Sequence, residues 1–119
     1  MTTLVELLKE LILIEGINTA VVVSRDGFVI EGVSSGGRLD LDAVGAVIST
    51  GVGSSEVMGR ELKVGEITQG MFEYKDGLVV MSLLGTDAIL AVVATINANL
   101  GNIRYQLRKR AQEIIQVLT

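Results

Sequence analysis

The chain offers few of the side chains that chemistry usually needs. Of its 119 residues, none is Cys, His, Trp or Pro. Without Cys there is no thiol nucleophile, disulfide or thiolate metal site. Without His, the usual general base near neutral pH and the commonest metal ligand are both missing. Carboxylates, lysines and hydroxyls remain. Asp40 and Asp42 stand two residues apart; on a helix that spacing sends them to different sides, so they cannot converge on one ligand. Helix capping and a favourable macrodipole contact explain them better. Ser24, Ser34, Ser35, Ser49, Ser54, Ser55 and Ser82 have no base to activate them, and Lys9, Lys63 and Lys75 fall in polar stretches. The run Gly51-Val52-Gly53-Ser54-Ser55-Glu56 comes nearest to a glycine-rich phosphate loop. It sits inside a helical pattern rather than between a strand and a helix, and it lacks any Gly-Lys-Ser/Thr, so close helix packing accounts for it. The inventory predicts no catalytic residues, no metal and no cofactor: the chain is not an enzyme.

Charge and composition narrow the partners. Ten basic against fourteen acidic residues give a net charge of −4, and aromatic residues make up only 3%. An acidic chain gains nothing from a phosphate backbone and has few rings on which bases could stack, so no nucleic acid is expected. Arg104, Arg108, Lys109 and Arg110 form one basic cluster near the end, read here as the solvated face of a closing helix. The alternative is a contact with an acidic partner surface or a membrane headgroup layer. Apolar residues reach 49% and mean hydropathy is +0.52, yet no run approaches the ~18 apolar residues of a membrane helix. The opening Met-Thr-Thr-Leu-Val-Glu has no basic n-region. A cytoplasmic protein with more apolar surface than one small monomer hides, and hence with a partner, is the expectation.

The elements that position these residues are legible from periodicity. Leu4, Leu7, Leu8, Leu11 and Ile14 predict an amphipathic helix ended by Gly16. Thr19–Ser24 and Phe28–Val33 predict a hairpin turning at Asp26-Gly27, with the glycine taking the positive φ of a primed turn. After a Ser34-Ser35-Gly36-Gly37 loop, Asp40 is the expected N-cap of a helix running to Glu61. One stripe of that helix, Leu41, Val44, Ile48, Val52 and Ser55, should face a sheet. A second, Ala43, Ala46, Val47, Thr50, Ser54 and Val57, is small or apolar as well. Gly45, Gly51, Gly53 and Gly59 each cost about 1 kcal/mol in a helix interior, so the helix reads as buried on two sides with another backbone close by. Glu66–Tyr74, Leu78–Leu84 and Ala88–Thr95 predict a three-strand meander, and Leu100, Ile103, Leu107, Ala111, Ile114 and Leu118 a long last helix. The expected fold class is α+β: a single three-layer domain over 1–119, its five-stranded antiparallel sheet covered by helices on both faces.

This order, helix–hairpin–helix–meander–helix, resembles the Roadblock/dynein light chain domain family in its prokaryotic small-GTPase-regulator form. Ala20–Ile30 is similar to the family's first hairpin, Glu73-Tyr74-Lys75-Asp76-Gly77 to its second turn, and Asn97–Arg104 to the entry of its last helix. The resemblance implies a homodimer in which the third strands pair across a two-fold axis through Ile67, Gln69, Gly70, Met71, Phe72 and Glu73. The central helices would pack on each other through Ala46, Thr50, Gly53, Ser54 and Val57. It also implies a Ras-like small GTPase as partner, regulated or scaffolded, with Asp42, Ala46, Ser49, Gly53 and Arg60 as docking candidates. Regulators of this kind generally rearrange the GTPase's own catalytic residues; Arg38 and Arg60 are the side chains available to act in trans. The chain ends at Thr119 without the extensions some relatives use, which leaves scaffolding open. Two other readings stand beside this one: an adaptor that heterodimerises with a paralogue, and a ligand-sensing domain of profilin or PAS type. The scarcity of inward polar residues speaks against the second.

Overall fold

A computed structural model describes residues 2–35 and 40–118. The elements run α1 (Leu4–Ile12), β1 (Ile17–Ser24), β2 (Val29–Ser34), α2 (Leu41–Glu61), β3 (Gln69–Tyr74), β4 (Gly77–Leu84), β5 (Ala88–Ala94) and α3 (Leu100–Leu118). The strands form one antiparallel sheet in the order β2-β1-β5-β4-β3. β5 therefore lies in the middle, which explains why its sequence is apolar almost without a break. The expected α+β architecture with helices on both faces is the observed one.

Alternation along the strands sorts the core into two halves. On one face, Leu7, Leu8 and Leu11 of α1 and Ile103, Leu107 and Ile114 of α3 pack on Ala20, Val22, Val80, Leu90 and Val92. On the other, Ile48 and Val52 of α2 meet Val21, Val23, Met81, Ile89 and Ala91. Three-layer packing thus follows directly from β-branched strands that are apolar on both sides.

Local chemistry fixes the ends of the elements. Thr3 and Glu6 form a reciprocal capping box at the start of α1. Gly16, at φ +95°, turns the chain into β1, where an added Cβ would lie 2.6 Å from Ala98 Cβ. The Asp40 carboxylate accepts from the Asp42 and Ala43 N–H groups at 3.1 and 3.3 Å, capping α2 as expected. Asn99 does the same for α3, accepting from the Asn102 N–H at 3.0 Å.

Three boundaries differ from expectation. The first hairpin is not a primed turn, because Asp26 keeps negative φ and only Gly27 is left-handed, at +95°. Gly27 N–H donates to the Ser24 carbonyl at 3.0 Å and Ser24 N–H to the Phe28 carbonyl at 2.8 Å. That is a three-residue loop closing on a left-handed glycine, which needs one positive φ instead of two. Secondly, β3 begins at Gln69 rather than Glu66, so Ile67 lies outside the strand, half-buried against the α2-side core. Thirdly, α1 ends at Ile12 with Leu13 as its C-cap, three residues before the expected terminator Gly16, which opens β1 instead. Of the loop after β2, Gly36, Gly37 and Arg38 lie outside the described residues.

Candidate protein-binding surfaces

Two surfaces stand out from the packed core. The first is the β3 edge. β3 pairs with β4 alone, in unbroken register from Gln69↔Ser82 to Tyr74↔Gly77. Residues directly opposite each other share a face, so Met71 and Glu73 lie on the α1/α3 side with Val80 and Leu78, and Gly70 and Phe72 on the α2 side with Met81 and Val79. Met71 is 42% and Phe72 40% exposed. Of the residues expected to pair across an axis, Gly70 to Glu73 line this open edge. Gln69 is on the strand too, but its Oε1 accepts from Arg104 Nε at 3.1 Å, and its buried Nε2 has no hydrogen-bond partner among the described residues.

The second surface is the outer side of α2. Ile48 and Val52 face the sheet and are buried, whereas Leu41, Val44 and Ser55 from the same stripe are half-buried. The second stripe is open: Ala43, Ala46, Val47, Thr50, Ser54 and Val57 are all exposed, Val47 by 65%. Within one chain, α2 is therefore buried on one side, not two. Met58 in its last turn, and Leu62 and Val64 beyond its end, extend the exposed apolar strip. Sequence reading missed these three: Leu62 and Val64 lie past the helical pattern, and Met58, though four residues after Ser54 on the same face, carries no motif.

The glycines of α2 divide accordingly. Gly45 lets the first hairpin approach; a Cβ there would meet the Gly27 carbonyl oxygen at 2.7 Å. Gly59 does the same for the Gly65 carbonyl at 2.5 Å. Gly53 meets nothing within 4 Å and Gly51 only the Met81 methyl group. The close backbone expected at all four is present at two.

The docking candidates are also split by the fold. Asp42, Ala46 and Arg60 are exposed and Gly53 is half-buried. Ser49 turns inward and donates its hydroxyl to the Arg25 carbonyl at 2.6 Å, which ties α2 to the hairpin and leaves that hydroxyl engaged. Arg25 in turn pairs with Glu56. Both flank an open cleft of about 380 Å³ that Arg60, Glu66, Gly85 and Thr86 also line. Its opposed charges give it no net sign. Basic residues on α3 are partly committed: Arg104 to Gln69, and Arg110 to Glu10 at 2.9 Å, while Arg108 and Lys109 are exposed. At the far side of the sheet, Phe28 is 72% exposed beside the turn glycine. Its signal in the sequence was its rarity, one of only two phenylalanines.

Among the described residues, no group of three or more carboxylates, Cys or His is placed to hold a metal ion, and no helix is long and apolar enough to cross a membrane. The matching family model is that of the Roadblock/LC7 domain, over residues 3–94. The chain is 36% identical over 107 residues to the uncharacterized protein MJ1340 of Methanocaldococcus jannaschii, covering 90% of this chain and 92% of that one. Its fold is similar to that of the gliding protein MglB from Thermus thermophilus, with a TM-score of 0.87 at 17% identity over 95% of this chain and 86% of that one. It is equally similar to a Roadblock/LC7 domain from Streptomyces avermitilis, with a TM-score of 0.88 at 23% identity over 98% of each chain. The chain belongs to the Roadblock/LC7 domain family, whose members are non-enzymatic protein–protein interaction modules.

Proposed function

We propose that the protein is a homodimeric binding module that regulates or scaffolds a Ras-like small GTPase in the cytoplasm. The observation that carries the reading is the pair of adjoining open surfaces: a regular, unpaired β3 edge and, on the same side of the sheet as Phe72, the exposed stripe of α2. A second copy related by a two-fold axis satisfies both at once. Gly70, Met71, Phe72 and Glu73 pair as strands through main-chain hydrogen bonds, and Ala46, Thr50, Gly53, Ser54 and Val57 pack helix on helix. Gln69 joins them through its backbone, and Ile67 contributes by shaping the strand's entry.

The GTPase enters from the family resemblance in the sequence, and Asp42, Ala46, Gly53 and Arg60 offer it an exposed stripe on α2. Arg60 is the described guanidinium available to a bound nucleotide's charge. Immobilised protein is incubated with native lysate, once with a GTP analogue and once with GDP. Recovery of a small GTPase with the triphosphate assigns an effector or hydrolysis-regulator role; recovery with GDP or without nucleotide assigns exchange. If no GTPase is retained under any condition, the reading fails and an adaptor function replaces it.

A further inference from the structure

The sheet has two free edges, and only β3 is built to accept another strand. On β2, Val22 pairs with Glu31 but Val23 with Val29, so Ile30 is the extra residue of a bulge. The Gly32 N–H donates to Oε1 of the neighbouring Glu31 at 3.2 Å. A bulge and a carboxylate on an edge donor both oppose strand addition. The β3 ladder is regular, and its outward groups can be named. The Leu83 N–H donates to the Thr68 carbonyl at 3.1 Å. Bonded and non-bonded pairs alternate along an antiparallel ladder, so Gly70, Phe72 and Tyr74 direct their main-chain groups to β4. Gln69, Met71 and Glu73 point theirs to the open edge.

The side chains along that edge complement one another. Gln69, Met71 and Glu73 stand on the α1/α3 face, Gly70 and Phe72 on the α2 face. Gln69 brings a cation with it: Arg104 Nε donates to Gln69 Oε1 at 3.1 Å, and the guanidinium makes no ion pair among the described residues. Glu73 is exposed and makes none either. Within one strand Gln69 and Glu73 lie about 13 Å apart at ~3.3 Å per residue, too far for Glu73 to answer the cation of its own chain. On the other face, Phe72 is 40% exposed, and a Cβ at Gly70 would find only Ile67 Cδ1 and Met81 Cε, both at 3.6 Å. Cation and anion, gap and ring, are each placed symmetrically about Met71.

We infer that a second copy of the chain pairs with β3 in one register, with the two-fold axis at Met71. Glu73 of each copy then stands opposite Gln69 of the other and ion-pairs with Arg104, while each Phe72 ring covers Gly70 of the other copy. The inference rests on the homodimer reading above and deepens it by naming the register and the contacts that set it. Opposite residues of an antiparallel pair share a face, so a two-fold axis normal to the sheet must fall on a residue rather than between two. An axis at Gly70 sets Gln69 against Met71 and leaves Arg104 without an anion. An axis at Phe72 sets Gln69 against Lys75, a cation beside Arg104. At Met71 both faces match at once, and every outward main-chain group of Gln69, Met71 and Glu73 finds a partner. An aromatic ring across from an edge glycine fills the space that the glycine leaves. Charge pairing across an interface fixes its register and penalises the others. Each contact occurs twice, by symmetry.

The chain has no cysteine, so single-cysteine variants report the axis directly. Gly70→Cys, Met71→Cys and Phe72→Cys are oxidised with diamide, and the covalent dimer is read on a non-reducing gel. In the inferred register the two Cα atoms at position 71 are about 5.5 Å apart, within the span of a disulfide. Positions 70 and 72 face their own copies only along diagonals of about 7–8 Å, beyond that span. Met71→Cys is therefore expected to cross-link fast and the two flanking variants slowly. Glu73→Lys and Arg104→Glu are each expected to raise the dimer dissociation constant about tenfold in sedimentation, and the double variant to return it to about twofold of wild type. Glu73 is exposed, so Glu73→Lys keeps its fold whatever Arg104→Glu does around Gln69. Fast cross-linking at position 70 or 72 in place of 71, or Glu73→Lys dimerising like wild type, overturns the register and leaves the homodimer standing. A dimeric wild type with no cross-linking at any of the three positions moves the interface off β3 and overturns the inference. A wild-type chain that stays monomeric overturns both.

Discussion

Single atoms decide what the glycines of α2 are for. At Gly45 an added methyl group lies 2.7 Å from a backbone oxygen and 3.0 Å from Val29 Cγ2. Neither can move without shifting the hairpin, so Gly45→Ala should destabilise the fold by about 1–3 kcal/mol despite alanine's better helix propensity. Gly53 is in open space within the chain, and Gly53→Ala should stabilise the isolated fold by about 0.5–1 kcal/mol. In the proposed dimer, where α2 would pack on its mate, the same methyl group would intrude, so this variant should dimerise more weakly. Urea unfolding and light scattering read the two effects separately; a Gly53→Ala protein with unchanged dimer affinity would exclude close helix approach at that position. The Arg25–Glu56 pair is about a third exposed on each side and is worth at most about 1 kcal/mol. Its service to the site is orientation of the hairpin, which Ser49 reinforces from α2.

Elements explain why one sheet edge is sociable and the other is not. β3 is short, regular and lined by Met71 and Phe72, whereas β2 is bulged and guarded by Glu31. Phe72→Asp places a charge on the regular edge and is expected to convert the dimer to a folded monomer, seen as half the mass by light scattering with an unchanged circular-dichroism spectrum. An unchanged mass would move the pairing to another strand. The helix order, the hairpins and the meander were all readable from periods of two and 3.6. Turn type at Asp26-Gly27 was not, since the same dipeptide serves two-residue and three-residue loops. Nor was the start of β3, because Glu66 and Ile67 alternate like a strand while Ile67 folds inward against the core.

At the scale of the whole molecule, the exposed apolar residues of α2 and β3 are the surfaces that the proposed dimer would bury. The stability of such a dimer depends on mass action. The melting temperature is expected to rise with protein concentration over the micromolar range, and a value independent of concentration would count against dissociation coupled to unfolding. Burial of both core halves gives the opposite case. Leu90 and Val92 are wholly buried under α1 and α3 within the single chain.

Element order, the apolar faces and the absence of thiol or imidazole chemistry were determined by the sequence alone, because periodicity and inventory are local properties of the chain. Asp40 as a cap was visible for the same reason: its partners, the Asp42 and Ala43 N–H groups, lie within a few residues. The tertiary structure alone decided which α2 glycines meet a backbone, that Ser49 points to Arg25 rather than outward, that Gln69 is held by Arg104, and that Phe28 is left in solvent. Each of these depends on atoms brought together from positions many residues apart, and steric contact across such distances leaves no periodic trace in the chain.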